Sequence, residues 1–348
     1  MENVMTSRNL LERLEEGPVI CAEGYVFEME RRGYVQAGPY VPEVVLDCPE
    51  AVLELHREFM NAGSDVIEAF TYYAHREKLK LVGREGDLEN MNRTALDLAK
   101  QVAAEGDALV AGNICNTNVF LPGDEASAKE ARAMFEEQVG WAMDAGVDFI
   151  IGETFSFAEE ALLALEVIED AGAISVITLA VHEALRDGYT VPEACSRLRD
   201  AGAGVVGLNC IRGPWTMLPL LEELSREVEG PLAALPVPYR TTPEAVNFQA
   251  LADPGCDCIP GIPFPTALDA LACNRYEIAE FARKAYALGV NYQGVCCGAG
   301  PHHIRAMAEA LGKNPPASRF SPDMSKHYAL GSDASLRKEN LEFAKKMT

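Results

Sequence analysis

Ala145-Gly146-Val147-Asp148-Phe149-Ile150-Ile151 closes one amphipathic stretch and opens a short apolar run, with a single glycine between the two. Gly63, Gly172, Gly202 and Gly289 hold the same place, each after Ala or Leu and each ahead of a run such as Gly204-Val205-Val206-Gly207-Leu208. Glycine suits the left-handed residue that ends a helix, and the run behind it suits a strand buried on both faces. The repeating unit is helix, tight turn, strand.

Extending this unit along the chain predicts helices near 49–62, 89–104, 127–145, 158–171, 216–228 and 275–288. In the first of them Val52, Leu55, Phe59 and Ala62 follow the three-and-four spacing of one face, and Pro49 suits the first turn. Strands are expected near 18–24, 65–73, 107–113, 147–153, 174–181, 204–210, 231–238 and 291–297. About eight strands alternating with helices predict an α/β fold of the TIM type, a (β/α)8 barrel. A doubly wound open sheet is the competing fold, but the glycine-rich dinucleotide fingerprint and the phosphate loop are absent. The period breaks at Gly312, ahead of Asn314-Pro315-Pro316 and a charged helical stretch from about 334 to 346. Residues 1–312 are therefore read as the barrel and 313–348 as a C-terminal extension.

The 348 residues are 48% hydrophobic, and 30 basic side chains against 53 acidic leave a net charge of −23. A balance this acidic argues against nucleic-acid and anionic-membrane partners, which need basic patches, and favours small cationic or zwitterionic ligands. The longest apolar stretches fall short of a membrane span, and the first thirty residues carry acidic side chains rather than a signal pattern. A soluble, cytoplasmic protein is expected, in which the ten cysteines are free thiols or metal ligands rather than disulfides. Cys115, Cys195 and Cys273, in apolar or amphipathic stretches, read as core residues.

Barrel active sites form at the carboxyl ends of the strands. Two strand ends are unusual here: Val206-Gly207-Leu208-Asn209-Cys210 and Gln293-Gly294-Val295-Cys296-Cys297-Gly298. Three thiols converging from two strands fit a tetrahedral zinc site with one position open to substrate. Taken singly each reads as a core cysteine, and the adjacent pair also admits a vicinal disulfide, against which an intracellular setting argues. Cys256-Asp257-Cys258 is spaced too closely for a zinc clamp and is read as a loop without metal. A barrel lyase or aldolase would expect a strand-end lysine, and none is evident.

Gly294-Val295-Cys296-Cys297-Gly298, Pro301-His302-His303-Ile304-Arg305 and Gly207-Leu208-Asn209-Cys210 resemble the homocysteine S-methyltransferase family. Gly24-Tyr25-Val26-Phe27, Arg32-Gly33-Tyr34-Val35, Ala37-Gly38-Pro39, His56-Arg57-Glu58-Phe59 and Thr71-Tyr72-Tyr73-Ala74 resemble its betaine branch. The likeness spans about residues 18 to 320. It implies a zinc enzyme in which Cys210, Cys296 and Cys297 hold the metal, homocysteine supplies the thiol and a methylated onium ion supplies the methyl group. Glycine betaine ranks first as donor, ahead of dimethylsulfoniopropionate and S-methylmethionine; a non-catalytic relative that binds a quaternary amine or a thiol is the rival. Glu153 aligns with the glutamate that family members use beside the substrate. Tyr40 and Tyr73 align with aromatic positions that contact the donor, and Asn209 and Glu23 complete the substrate-facing set together with Thr154.

Two departures stand out. Ala22-Glu23-Gly24 replaces the family's Asp-Gly-Gly, which moves the carboxylate one residue along the strand, to the other face if alternation holds. The expectation is that the strand ends near Ala22, freeing Glu23 to meet the substrate ammonium. Thr154 stands where the betaine branch has tyrosine. Betaine-branch relatives use a C-terminal extension to associate, so the tail after Gly312 is expected to form an oligomer, most simply a homodimer.

Overall fold

The computed structural model describes residues 8–253, 255 and 264–347; the Cys256-Cys258 loop lies outside them. Eight parallel strands pair in sequence order and close on themselves. They are β1 (Val19–Ala22), β2 (Val66–Glu68), β3 (Leu109–Cys115), β4 (Phe149–Phe155), β5 (Ser175–Leu179), β6 (Val205–Asn209), β7 (Leu232–Leu235) and β8 (Val290–Val295). Closure is made by β1 on β8, in register from Val19 opposite Tyr292 to Ala22 opposite Val295.

The local chemistry that spaces these elements is the one legible in the period. Helix Pro49–Ala62 buries Val52, Leu55, Phe59 and Ala62, the predicted face, with His56 beside them. Each buried aliphatic or aromatic side chain of this kind contributes about 1.5–3 kcal/mol. The helix ends at Gly63, whose φ of 110° a side chain would oppose; Gly146, at 72°, ends helix Glu125–Ala145 in the same way. His56 accepts or donates at Nδ1 to the Tyr25 hydroxyl, 3.0 Å away, and burial lowers its pKa to about 3, so it packs as a neutral ring.

The structure departs from the period reading in several places, among them helix Pro301–Ala310, which the predicted set lacks. The run expected as strand through residue 73 leaves the sheet at Glu68, because the Thr71 N–H turns back to the Ala69 carbonyl and the Thr71 hydroxyl bonds the Asn113 carbonyl. Tyr73 is thus a loop residue. Helix Val191–Asp200, absent from the predicted set, begins with a capping box in which Thr190 and Glu193 satisfy each other's backbone N–H groups.

At the far end, residues beyond Gly312 first return to the barrel: Lys313 pairs with Asp65 at 2.5 Å, and the short turn Pro316–Phe320 packs on helix Pro49–Ala62. From there Phe320, Met324, Tyr328, Leu330, Phe343 and Met347 are all exposed, and the charged helix spans Lys338–Met347. Among the described residues no helix is long and apolar enough to cross a membrane.

Candidate active site

The ends of β6 and β8 are brought together by the strand between them. Cys210 donates its N–H to the Leu235 carbonyl at 2.9 Å, and Cys296 donates to the Pro236 carbonyl at 3.0 Å, so successive carbonyls at the end of β7 hold both cysteine backbones. Close approach here depends on glycine: a Cβ on Gly207 would sit 2.0 Å from the Ala233 carbonyl oxygen, and one on Gly294 would sit 2.0 Å from that of Cys21. The Cys210, Cys296 and Cys297 sulfurs all lie within 4.8 Å of one another, with Cys296 and Cys297 3.8 Å apart. Cys210 falls well below the usual thiol range because both neighbours donate to its sulfur, and those neighbours are pushed up because losing their protons would break the bonds. Cys115, Cys195 and Cys273 are buried elsewhere in the core.

Below the thiols lies a chain of alternating carboxylates and amides. Asn113 Nδ2 donates to Glu68 at 2.5 Å and to Glu153 at 2.7 Å; Asn209 Nδ2 donates to Glu153 at 2.7 Å and to Glu23 at 3.3 Å. All five side chains are buried, and among the described residues no lysine, arginine or histidine pairs with any of the three carboxylates. Glu153 is raised to about 7, by burial first, although hydrogen bonds from Asn113, Thr154 and Asn209 favour its charged form and limit the rise. Burial and then the Glu153 charge push Glu23 and Glu68 well up as well. Glu23 Oε1 and Asn113 Oδ1 have no hydrogen-bond partner.

The placement of Glu23 corrects the alternation argument. β1 ends at Ala22, yet the Cys21 thiol and the Glu23 carboxylate both lie within 4.8 Å of Glu68. The inward side of β1 is that of Cys21 and Glu23, two residues apart, and not that of Ala22. Glu153 and Thr154 both reach the same network because β4 loses register between Gly152 and Phe155, an irregularity that re-aims side chains. Thr154 donates its hydroxyl to Glu153 and its N–H to Asn209, each at 3.0 Å.

Two hollows flank the thiols. The inner one, about 20 Å³, is lined by the three glutamates, Asn113, Cys296 and Cys297; the outer one, about 470 Å³, is lined by Tyr40, Tyr73, Lys78, Thr154, Cys210 and Cys297. Tyr72 and Cys297 border both. Tyr40 packs its ring 5.5 Å from that of Phe27, and its hydroxyl is buried without a partner. Tyr73 carries the Lys78 ammonium 3.8 Å from its ring centroid. Tyr40, Tyr73, Asn118, Thr154, Cys210 and Ile211 have positive φ, between 54° and 66°, and all six line the outer hollow. The sequence reading missed Glu68, Asn113, Tyr72 and Lys78; the one signal available was a polar Asn and Glu inside otherwise apolar runs.

A family model described as homocysteine S-methyltransferase matches residues 22–311. The chain belongs to the homocysteine S-methyltransferase family. It is 39% identical to betaine–homocysteine S-methyltransferase 1 of Xenopus tropicalis, over 93% of this chain and 80% of that protein. It is 38% identical to an S-methylmethionine–homocysteine S-methyltransferase of Pongo abelii, over 93% of this chain and 86% of that one. The metallated form of the homocysteine methyltransferase MmuM from Escherichia coli superposes with a TM-score of 0.67, covering 85% of this chain and 98% of its own, at 18% identity. At that identity the likeness is one of fold alone.

A carboxyl that keeps its proton in the folded state beyond the pH at which the unfolded chain loses it makes stability fall as pH rises. For Glu68 that decline starts near its ordinary pKa of 4.5. Glu68→Gln, which retains an acceptor for Asn113, should therefore raise the Tm of the ligand-free protein by about 2–4 °C at pH 8, with the gain disappearing toward pH 4. Differential scanning calorimetry at both pH values checks this; an equal or lower Tm at pH 8 would show the charge to be compensated.

Proposed function

We propose that this chain is a zinc-dependent S-methyltransferase that moves a methyl group from glycine betaine to homocysteine, giving dimethylglycine and methionine. The observation that carries the reading is the position of three thiols between an acidic hollow and an aromatic one. The donor set fits zinc: two thiolates at tetrahedral angles and about 2.3 Å from the metal lie about 3.8 Å apart, which is the Cys296–Cys297 separation. Cys210, Cys296 and Cys297 would hold the ion, and when bound it would lower the pKa of the substrate thiol so that the thiolate is present at neutral pH.

The protein's own groups account for the rest. Glu23 and Glu153 would receive the homocysteine ammonium, which supplies the donors that Glu23 Oε1 and Asn113 Oδ1 lack; Thr154 and Asn209 keep those carboxylates in place. Aromatic faces attract quaternary cations, so Tyr40 and Tyr73 would form walls for the donor head group. The substrate sulfur attacks a methyl carbon, the carbon–nitrogen bond breaks with its electron pair left on nitrogen, and dimethylglycine departs as a neutral amine. Among relatives of nearly equal identity one is named for betaine and another for S-methylmethionine, so the sulfonium donors stay second. The non-catalytic alternative rested on the altered Ala22-Glu23 segment, and a buried Glu23 within the network removes its motive. The exposed apolar side chains after Phe320 support a dimer formed through the tail.

Protein purified under reducing conditions should contain about one zinc per chain, lost in Cys210→Ala, Cys296→Ala and Cys297→Ala, and should form methionine from homocysteine fastest with betaine in competition with dimethylsulfoniopropionate and S-methylmethionine. Zinc retained in all three variants would sink the metal assignment, and a sulfonium preference would reverse the donor order. Glu23→Gln should raise the KM for homocysteine at least tenfold while zinc content holds; an unchanged KM rejects the ammonium role. Light scattering should show the full chain as a dimer and a chain ending at Gly312 as a monomer, and a full-length monomer would end the proposal for the tail.

A further inference from the structure

Lys78 is the side chain of the outer hollow for which the fold gives no account. It belongs to the short helix Arg76–Lys80, is partly buried, and holds its ammonium over the Tyr73 ring at 3.8 Å. Burial lowers its pKa below the usual lysine range. Among the described residues no carboxylate lies within ion-pair distance of it, in a chain with 53 acidic side chains. The other basic residue lining the hollow differs. Arg186 lies over the Phe157 ring at 4.6 Å, and its charge falls on Glu160, whose carboxylate also accepts from the Thr117 N–H and hydroxyl. Lys78 has no such counterpart.

A fixed ammonium beside the wall of a hollow meant for an onium ion repels that ion. The repulsion becomes an attraction if the onium carries its own carboxylate. The methyl group has to reach the thiol end of the hollow, at Cys210 and Cys297, so the rest of the donor extends along the cavity, where Tyr73 and Lys78 stand. Tyr73 lines the hollow together with those two cysteines and carries the ammonium on its ring, which makes the ring the spacer between thiols and ammonium.

We infer that Lys78 binds the carboxylate of the methyl donor, and that the site therefore selects onium zwitterions over onium ions without a carboxylate. The inference rests on the methyl-transfer reading and adds to it the group at the far end of the donor. S-methylmethionine brings a second cation beside its carboxylate and is disfavoured by the same charge.

Calorimetric titration of the zinc-loaded, full-length protein tests this, with methionine present so that no methyl is transferred, and with glycine betaine, dimethylsulfoniopropionate and tetramethylammonium as probes. The wild type should bind both zwitterions at least tenfold more tightly than tetramethylammonium. Lys78→Gln should lose at least tenfold for the zwitterions and nothing for tetramethylammonium, Lys78→Arg should restore most of the loss, and zinc content should not change. In turnover the glutamine variant should raise the KM for betaine and leave kcat within about twofold. A wild type without preference for zwitterions, or a Lys78→Gln that loses both classes alike, overturns the inference. Binding that behaves as described without any methionine formed in turnover would instead overturn the methyl-transfer reading and leave the role of Lys78 standing.

Discussion

Three carboxylates share one buried pocket under the thiols, and the surrounding structure is arranged so that this is tolerable. An isolated ionised carboxylate taken out of water costs many kcal/mol unless it is paired or takes up a proton. Among the described residues no basic side chain pairs with any of the three, so the two remaining remedies operate together. Asn113 and Asn209 each span two glutamates with one amide group, and burial raises all three carboxyls so that protons are retained. What is left over is an unbonded oxygen on Glu23 and another on Asn113. On the proposed reading the homocysteine ammonium would bond both.

The same economy explains why the site has two rooms. A substrate ammonium requires carboxylates, and a methylated onium requires aromatic faces, yet the two cations repel if they share one hollow. Tyr72 and Cys297 stand between the hollows, so on the proposed reading the two positive groups would be parted while the sulfur and the methyl could still meet at the thiols. Tyr72, for which the sequence offers no role, is on this view a partition.

Much of the fold was readable because the helix period and the glycine stops are local. Helix Pro49–Ala62 was placed to the residue, whereas the ten-residue helix Val191–Asp200 was too short for its period to show. The thiols were readable because their position follows from strand ends alone. Glu68 was hidden by a strand expected to run on to 73. Asn113 was hidden because its bonds to Glu68 and Glu153 depend on the stagger between β2, β3 and β4, which no single strand records. β1 ends at Ala22 as expected and Glu23 joins the network; only the alternation argument, which made Ala22 the inward residue, fails, because pairing with neighbouring strands decides the face. Lys78 carries no pattern at all; what distinguishes it is that, among the described residues, no carboxylate lies within ion-pair distance, its neighbour Glu77 pairing with Lys80 instead.

Among the described residues, the six non-glycine residues with positive φ all face one hollow. Left-handed backbone costs a side-chain-bearing residue on the order of 1–3 kcal/mol, and more for a branched one such as Ile211. Under selection for thermal endurance alone, glycine would spread through these positions, since each replacement relieves strain. Drift in a lineage that had lost its substrates should run in that direction. That Tyr40, Tyr73, Thr154 and Cys210 carry side chains at such angles concentrates backbone strain on the one hollow they line.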